Sequence, residues 1–188
     1  MRDEACFRLR GWIPIPLYLA MLCTFDGGPA SRAALLSGTT LVLAGVGLRA
    51  WARVHIGRSS DTRKLHAGRL IRTGPYSVTR NPLYTANVAI ASGLAVLIGA
   101  GVWTALLTVA LAFHYGAVVR AEERMLDERF GAAYREYCSR IPRWWPLHGC
   151  RPQRFGGSRR EAWARMCREW RIAVFALASA LLLLAIRS

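Results

Sequence analysis

Two short stretches hold the polar residues whose types and spacing suit chemistry. The first reads Gly74-Pro75-Tyr76-Ser77-Val78-Thr79-Arg80-Asn81-Pro82-Leu83-Tyr84. The second holds Glu122-Glu123 and Leu126, then Phe130-Gly131, Tyr134 and Tyr137, and ends Arg140-Ile141-Pro142-Arg143-Trp144-Trp145-Pro146. Pro82 fits the first turn of a helix, where its missing N–H costs nothing and its ring presets the backbone. The orphan N–H groups beside it would receive an anion such as the carboxylate of an amino-acid moiety. Arg80 would serve that carboxylate or pair with a glutamate across the site. Tyr76 and Tyr84 offer aromatic faces to a cation or a flat ring. Glu122 and Glu123 follow an apolar run whose helical C-terminus disfavours negative charge. Two such acids call for a partner, and a cationic ligand would be one.

The elements around these stretches must lie in a membrane. A net charge of +15 sits beside 53% hydrophobic residues, and the two are segregated along the chain. Apolar runs alternate with arginine-rich stretches; Lys64 is the only lysine. That pattern predicts an all-α integral membrane protein with about five transmembrane helices and an active site at the membrane face where the two polar stretches meet. The spans read as residues 12–25, 33–52, 84–100, 102–119 and 174–186, the first short and interrupted by Pro14 and Pro16. With no small-x-small cleavage site, the first span is expected to be retained. Gly38, Gly45 and Gly47 give the second span small surfaces for close packing. Gly99 and Gly101 mark a tight turn between the third and fourth. Residues 158–171 read as a basic amphipathic helix on the anionic inner leaflet.

The arginines set the orientation. Those of the N-terminus, of residues 53–80 and of residues 120–171 fall on one side if five spans are counted, and the positive-inside rule makes that side cytoplasmic. The chain divides into N-terminal helices (1–52), a core (53–146) and a basic C-terminal segment with the last span (147–188). A nucleic-acid partner is not expected, because no zinc-finger, RNP or helix-turn-helix pattern accompanies the arginines. The five cysteines form no CxxC pair, and His55, His66, His114 and His148 lack metal-ligand spacing, so no metal is expected.

Together the two stretches resemble the isoprenylcysteine carboxyl methyltransferase family and the related phospholipid N-methyltransferases. Their signature is G-x-Y-x-x-x-R-H-P-x-Y before one helix, and E-E-x-x-L-x-x-x-(F/Y)-G-x-x-Y-x-x-Y-x-x-x-(V/I)-P-R after a helical hairpin. The match runs over residues 68–146. The resemblance implies methyl transfer from S-adenosyl-L-methionine to a lipophilic substrate entering from the bilayer. It implies that Gly68, Arg69, Leu70 and Ile71 line the cofactor as backbone. Tyr76, Asn81, Pro82, Leu83, Tyr84 and Glu122 fall on its cofactor positions, and Arg80, Glu123 and Arg120 are the candidates for catalysis. Arg120 is close to, but not at, the position where eukaryotic members carry an arginine involved with substrate.

Two departures stand out. Asn81 replaces the usual His and cannot carry a proton, and Gly68 stands where many members have another His. Neither removes methyl transfer, which needs alignment and desolvation more than acid–base help. Simpler roles exist for single residues: Arg80 as an anchor at a helix start, the glutamates as salt-bridge partners, Trp144 and Trp145 as interfacial aromatics. Phe130-Gly131 reads as a helix stop. Sterol C14-type reductases share part of the pattern but use NADPH and carry more spans, and a non-catalytic membrane protein of the same fold is a third alternative. The compact, arginine-rich chain suggests a prokaryotic inner membrane.

Overall fold

The computed structural model describes residues 31–56 and 70–144, with Val174 and Ala178 as isolated helical positions. Among these residues every regular element is helical. Helix α1 runs Arg32–Ile56, a single 3₁₀ turn covers Gly74–Ser77, and α2 runs Pro82–Leu97. Helix α3 runs Val102–Phe130 and α4 runs Ala132–Arg140. Helices α1 and α3 are long and apolar enough to cross a membrane, while α2 is a shorter apolar helix. The expected span at 12–25, the amphipathic helix at 158–171 and, apart from Val174 and Ala178, the expected span at 174–186 lie outside the described residues, as do Gly68 and Arg69.

The helix boundaries follow local chemistry. Ser31 caps α1, its hydroxyl accepting from the Ala34 N–H at 3.1 Å. Pro82 opens α2. Gly99 and Gly101 take left-handed φ values of 73° and 50° and turn the chain from α2 into α3. Gly131, at φ 51°, ends α3 at Phe130, so the expected helix stop is present.

Helices α1 and α2 touch backbone to backbone. A Cβ on Gly38 would lie 2.9 Å from the Gly93 carbonyl oxygen, and one on Gly93 would lie 2.9 Å from that of Gly38. Gly45 packs as closely against Ile90 and Ala86. Among the described residues nothing lies within 4 Å of a Cβ on Gly47, so it is no part of the α1–α2 contact, where Gly93 joins Gly38 and Gly45 instead. Helix direction decides this, because Gly38 and Gly45 lie seven residues and about two turns apart, whereas Gly47 is rotated away.

Helix α3 runs on past its apolar span, read as 102–119, to the stop at Phe130. Glu122 and Glu123 therefore lie about two turns inside the helix, where its dipole has little effect. Their partners, rather than a helix end, must account for them. The core joins α2 to α3 through Ala95, Ile98, Leu107, Leu111 and Tyr115, with Trp144 packed against it.

Candidate functional site

The site gathers where the 3₁₀ turn, the start of α2, the C-terminal part of α3 and the 141–144 segment meet. Adjacent glutamates divide the work. Glu122 accepts a hydrogen bond from the Tyr84 hydroxyl at 2.7 Å. Glu123, nine-tenths buried, faces the other way into a cluster of arginines. Successive residues on a helix project about 100° apart, so one Glu-Glu pair serves two neighbourhoods.

On the Glu122 side, Tyr84 leans on Tyr115 with ring centroids 5.2 Å apart. The Tyr115 hydroxyl accepts from Asn87 Nδ2 at 3.4 Å, and Arg49 donates to Asn87 Oδ1. A chain of contacts thus runs from Glu122 on α3 through α2 to an arginine within α1. Sequence reasoning passed over Arg49, Asn87 and Tyr115. A lone arginine and a lone asparagine in apolar helices were the available signal, since polar groups at membrane depth generally have partners or functions. Tyr76 stands beside the same carboxylate, and its hydroxyl is pushed well above its ordinary range, by burial first and then by Glu122.

On the Glu123 side, Arg143 binds Oε2 through Nη2 at 2.6 Å and Nε at 3.0 Å. Arg80 Nη1 forms an ion pair with Oε1 at 3.1 Å but without hydrogen-bond alignment, and donates to Cys138 Sγ at 2.9 Å. The Arg143 guanidinium is held charged, chiefly by its hydrogen bond to Glu123. The neighbouring Tyr134 hydroxyl is pushed upward by burial and by the Glu123 charge.

The same cluster ties the two sequence stretches together. The Arg80 N–H donates to the Pro142 carbonyl at 3.0 Å. Thr79 Oγ1 and Asn81 Nδ2 both donate to the Arg143 carbonyl at 3.1 Å. Tyr137 donates to the Tyr76 carbonyl at 2.6 Å, and burial pushes its hydroxyl upward as well. Asn81, at the N-cap of α2, makes no side-chain cap bond there and spends its amide on the 141–144 segment instead.

Each predicted site residue among those described now has a place. Tyr76, Tyr84 and Glu122 converge. Arg80 and Glu123 meet each other. Asn81 and Pro82 hold the start of α2, with Leu83 half-buried beside them and Leu70 and Ile71 half-buried ahead of the turn. Arg120 is exposed and, with Glu123, Tyr134 and Cys138, lines an open groove of about 700 Å³ between α3 and α4. That groove lies on the Glu123 side, away from Tyr84.

The family model for phospholipid methyltransferases matches residues 33–133. The chain belongs to this family. The match covers α1 through the start of α4, the elements that carry both glutamates, Arg80 and Tyr84. Two curated bacterial proteins are similar over the same scale. The chain is 37% identical to the cobalt-zinc-cadmium resistance protein CzcN of Cupriavidus metallidurans, over 57% of this chain and 48% of that protein. It is 33% identical to the nickel-cobalt-cadmium resistance protein NccN of Alcaligenes xylosoxydans xylosoxydans, over 58% of this chain and 46% of that protein. The chain spans about half the length of these relatives. No solved structure matches. Family membership and the two long apolar helices make this phospholipid methyltransferase relative a membrane protein.

Proposed function

We propose that the chain is a membrane-embedded methyltransferase that uses S-adenosyl-L-methionine and acts on a lipophilic acceptor at the cytoplasmic face of a prokaryotic inner membrane. The carrying observation is the Tyr84–Glu122 hydrogen bond within a chain of this family. A carboxylate held by a phenol, with a second tyrosine beside it, suits a ligand that bears a cation, hydroxyls and a flat ring. When bound, S-adenosyl-L-methionine supplies a methyl group on a positively charged sulfur.

This chain's residues then bind, orient and exclude water. Glu122 and Tyr84 hold the ligand's polar groups, and Tyr76 covers it. The first-turn N–H groups after Pro82 offer donors for its carboxylate, with Leu83 as an apolar wall. The stretch Gly68, Arg69, Leu70 and Ile71 contributes backbone. Arg80 and Glu123 serve as positioning residues, through the backbone they and Asn81 clasp to the 141–144 segment. Methyl transfer needs the acceptor in line and dry, and helices that meet in lipid provide both. The acceptor class supported is a lipid amine, an isoprenylcysteine-like carboxylate or a thiol, entering from the bilayer.

Calorimetric titration of S-adenosyl-L-methionine into the full chain in nanodiscs tests this reading. Saturable binding is expected, roughly ten- to a hundred-fold weaker in Glu122→Ala, as for loss of a charged hydrogen-bond partner. Binding of NADPH alone would make the protein a reductase, and binding of neither would reduce the family match to a statement about fold. The relatives' names suggest a cellular setting in which the methylated lipid matters under metal load. A deletion strain as tolerant of cobalt, nickel, zinc and cadmium as its parent would remove that setting without touching the chemistry.

A further inference from the structure

The outer face of α3 carries one continuous line from apolar to basic. Val102, Leu106, Val109 and Phe113 are 70%, 54%, 54% and 76% exposed. Their spacing of four, three and four residues keeps them on one side of the helix. Arg120 and Arg124 continue the same line, both exposed, where the apolar run stops. Glu122 and Tyr115 lie on roughly the opposite side, which packs inward.

The two arginines open into the groove of about 700 Å³, where Arg135 and Arg143 also lie. Both acids of the groove are already engaged. Glu123 binds Arg143 at 2.6 Å and Asp127 binds Arg135 at 2.9 Å. The lining as a whole carries four arginines against two acids, so its net charge is positive. Among the described residues Arg120 forms no ion pair, and its Nη1 lies 3.7 Å from the Cβ position of Gly116, folded back towards the apolar part of the helix.

We propose that this line is a docking site for an anionic phospholipid, distinct from the Tyr84–Glu122 site. The phosphate sits at Arg120 and Arg124 in the mouth of the groove, and one acyl chain follows α3. The inference rests on α3 crossing the membrane. Lengths agree: at 1.5 Å per residue, Phe113 and Val109 lie roughly 10 and 16 Å along the helix from Arg120. One leaflet of hydrocarbon is about 15 Å deep. The groove is of a size that takes a glycerophosphate headgroup. Charge selects the occupant. A second copy of a chain of net charge +15 would bring like charge against the arginines, as would the chain's own arginine-rich residues 158–171.

Native mass spectrometry of the detergent-purified full chain tests the site by counting bound lipid. Palmitoyl-oleoyl phosphatidylglycerol is expected to bind more tightly than the matching phosphatidylcholine. The variant Arg120→Gln/Arg124→Gln should weaken it roughly thirty-fold, from about a factor of five per interfacial arginine. Arg129→Gln, elsewhere on α3, should leave the preference intact. Phe113→Ser should weaken the long-chain lipid but not its dihexanoyl counterpart. Arg120→Gln alone, with helical circular dichroism unchanged, serves if the double variant does not fold. Equal affinity for the two headgroups overturns the proposal, as does phosphatidylglycerol binding unchanged by the arginine variants. Full competition by inorganic phosphate also overturns it, because the acyl chain would then contribute nothing. None of these outcomes depends on S-adenosyl-L-methionine binding, so the two readings fail separately.

Discussion

Tyr84 and Glu122 stand 38 residues apart in sequence and 2.7 Å apart in space. Their hydrogen bond joins the first turn of α2 to α3 just beyond the apolar part of that helix. The bond places a negative charge beside the Tyr84 ring, which itself leans on Tyr115, and this gives the pair its proposed role. It also leaves the neighbouring Glu123 free to turn towards Arg80 and Arg143.

Tyr84→Phe removes the hydroxyl and keeps the ring. Binding of S-adenosyl-L-methionine should weaken by roughly ten-fold, as for one hydrogen bond to a charged group, with thermal stability little changed. Calorimetry beside a melting curve separates the two. Undiminished affinity would take Tyr84 out of the site.

Glu123 is nearly buried and balanced by two guanidinium groups. Arg80→Ala should destabilise the fold by about 3 kcal/mol, because breaking a buried pair strands the remaining charge. The double variant Arg80→Met/Glu123→Leu should recover part of that loss, with Arg143 exposed enough to return to water. A single variant as stable as the parent in denaturant unfolding would show that the cluster carries no net interaction.

Gly93 meets α1 with no room for a side chain. Gly93→Leu should cost about 2 kcal/mol or more by forcing the helices apart. Gly47→Leu, with no described residue within 4 Å of a Cβ there, should cost nothing comparable. Equal melting temperatures for the two variants would show that the α1–α2 contact is not the one described.

Burial raises the hydroxyls of Tyr76, Tyr134 and Tyr137 above the ordinary tyrosine value of 10.0. In the unfolded chain these groups lose their protons at lower pH than in the folded one. Above pH 10 the folded state therefore holds more protons, and stability falls with rising pH. Stability from these groups should be complete below about pH 10 and drain away above it. Tyrosinate absorbance for this set should appear together with loss of structure. Titration of all six tyrosines with the fold intact would contradict their burial.

The sequence by itself determined what depends on neighbours along the chain. Pro82 starts a helix, Gly99, Gly101 and Gly131 turn the backbone, and the order of the two motifs identified the family. These signals act over a few residues, so they can be read one stretch at a time. The helix-end argument for Glu122 and Glu123 did not hold, because the helical hydrogen bonds of α3 continue beyond its apolar run to Phe130.

Only the tertiary structure decided which side chains meet. The sequence shows Glu122-Glu123 as one acidic pair, but the rotation between adjacent helical positions sends one to Tyr84 and the other to Arg143. Cys138 gained Arg80 as a partner across the site, Asn81 gained the Arg143 carbonyl through the approach of the 141–144 segment, and Arg49 reached Asn87 because glycines let α1 and α2 touch. Such contacts depend on how helices are rotated and spaced, which is set by packing over the whole interface rather than by any local preference.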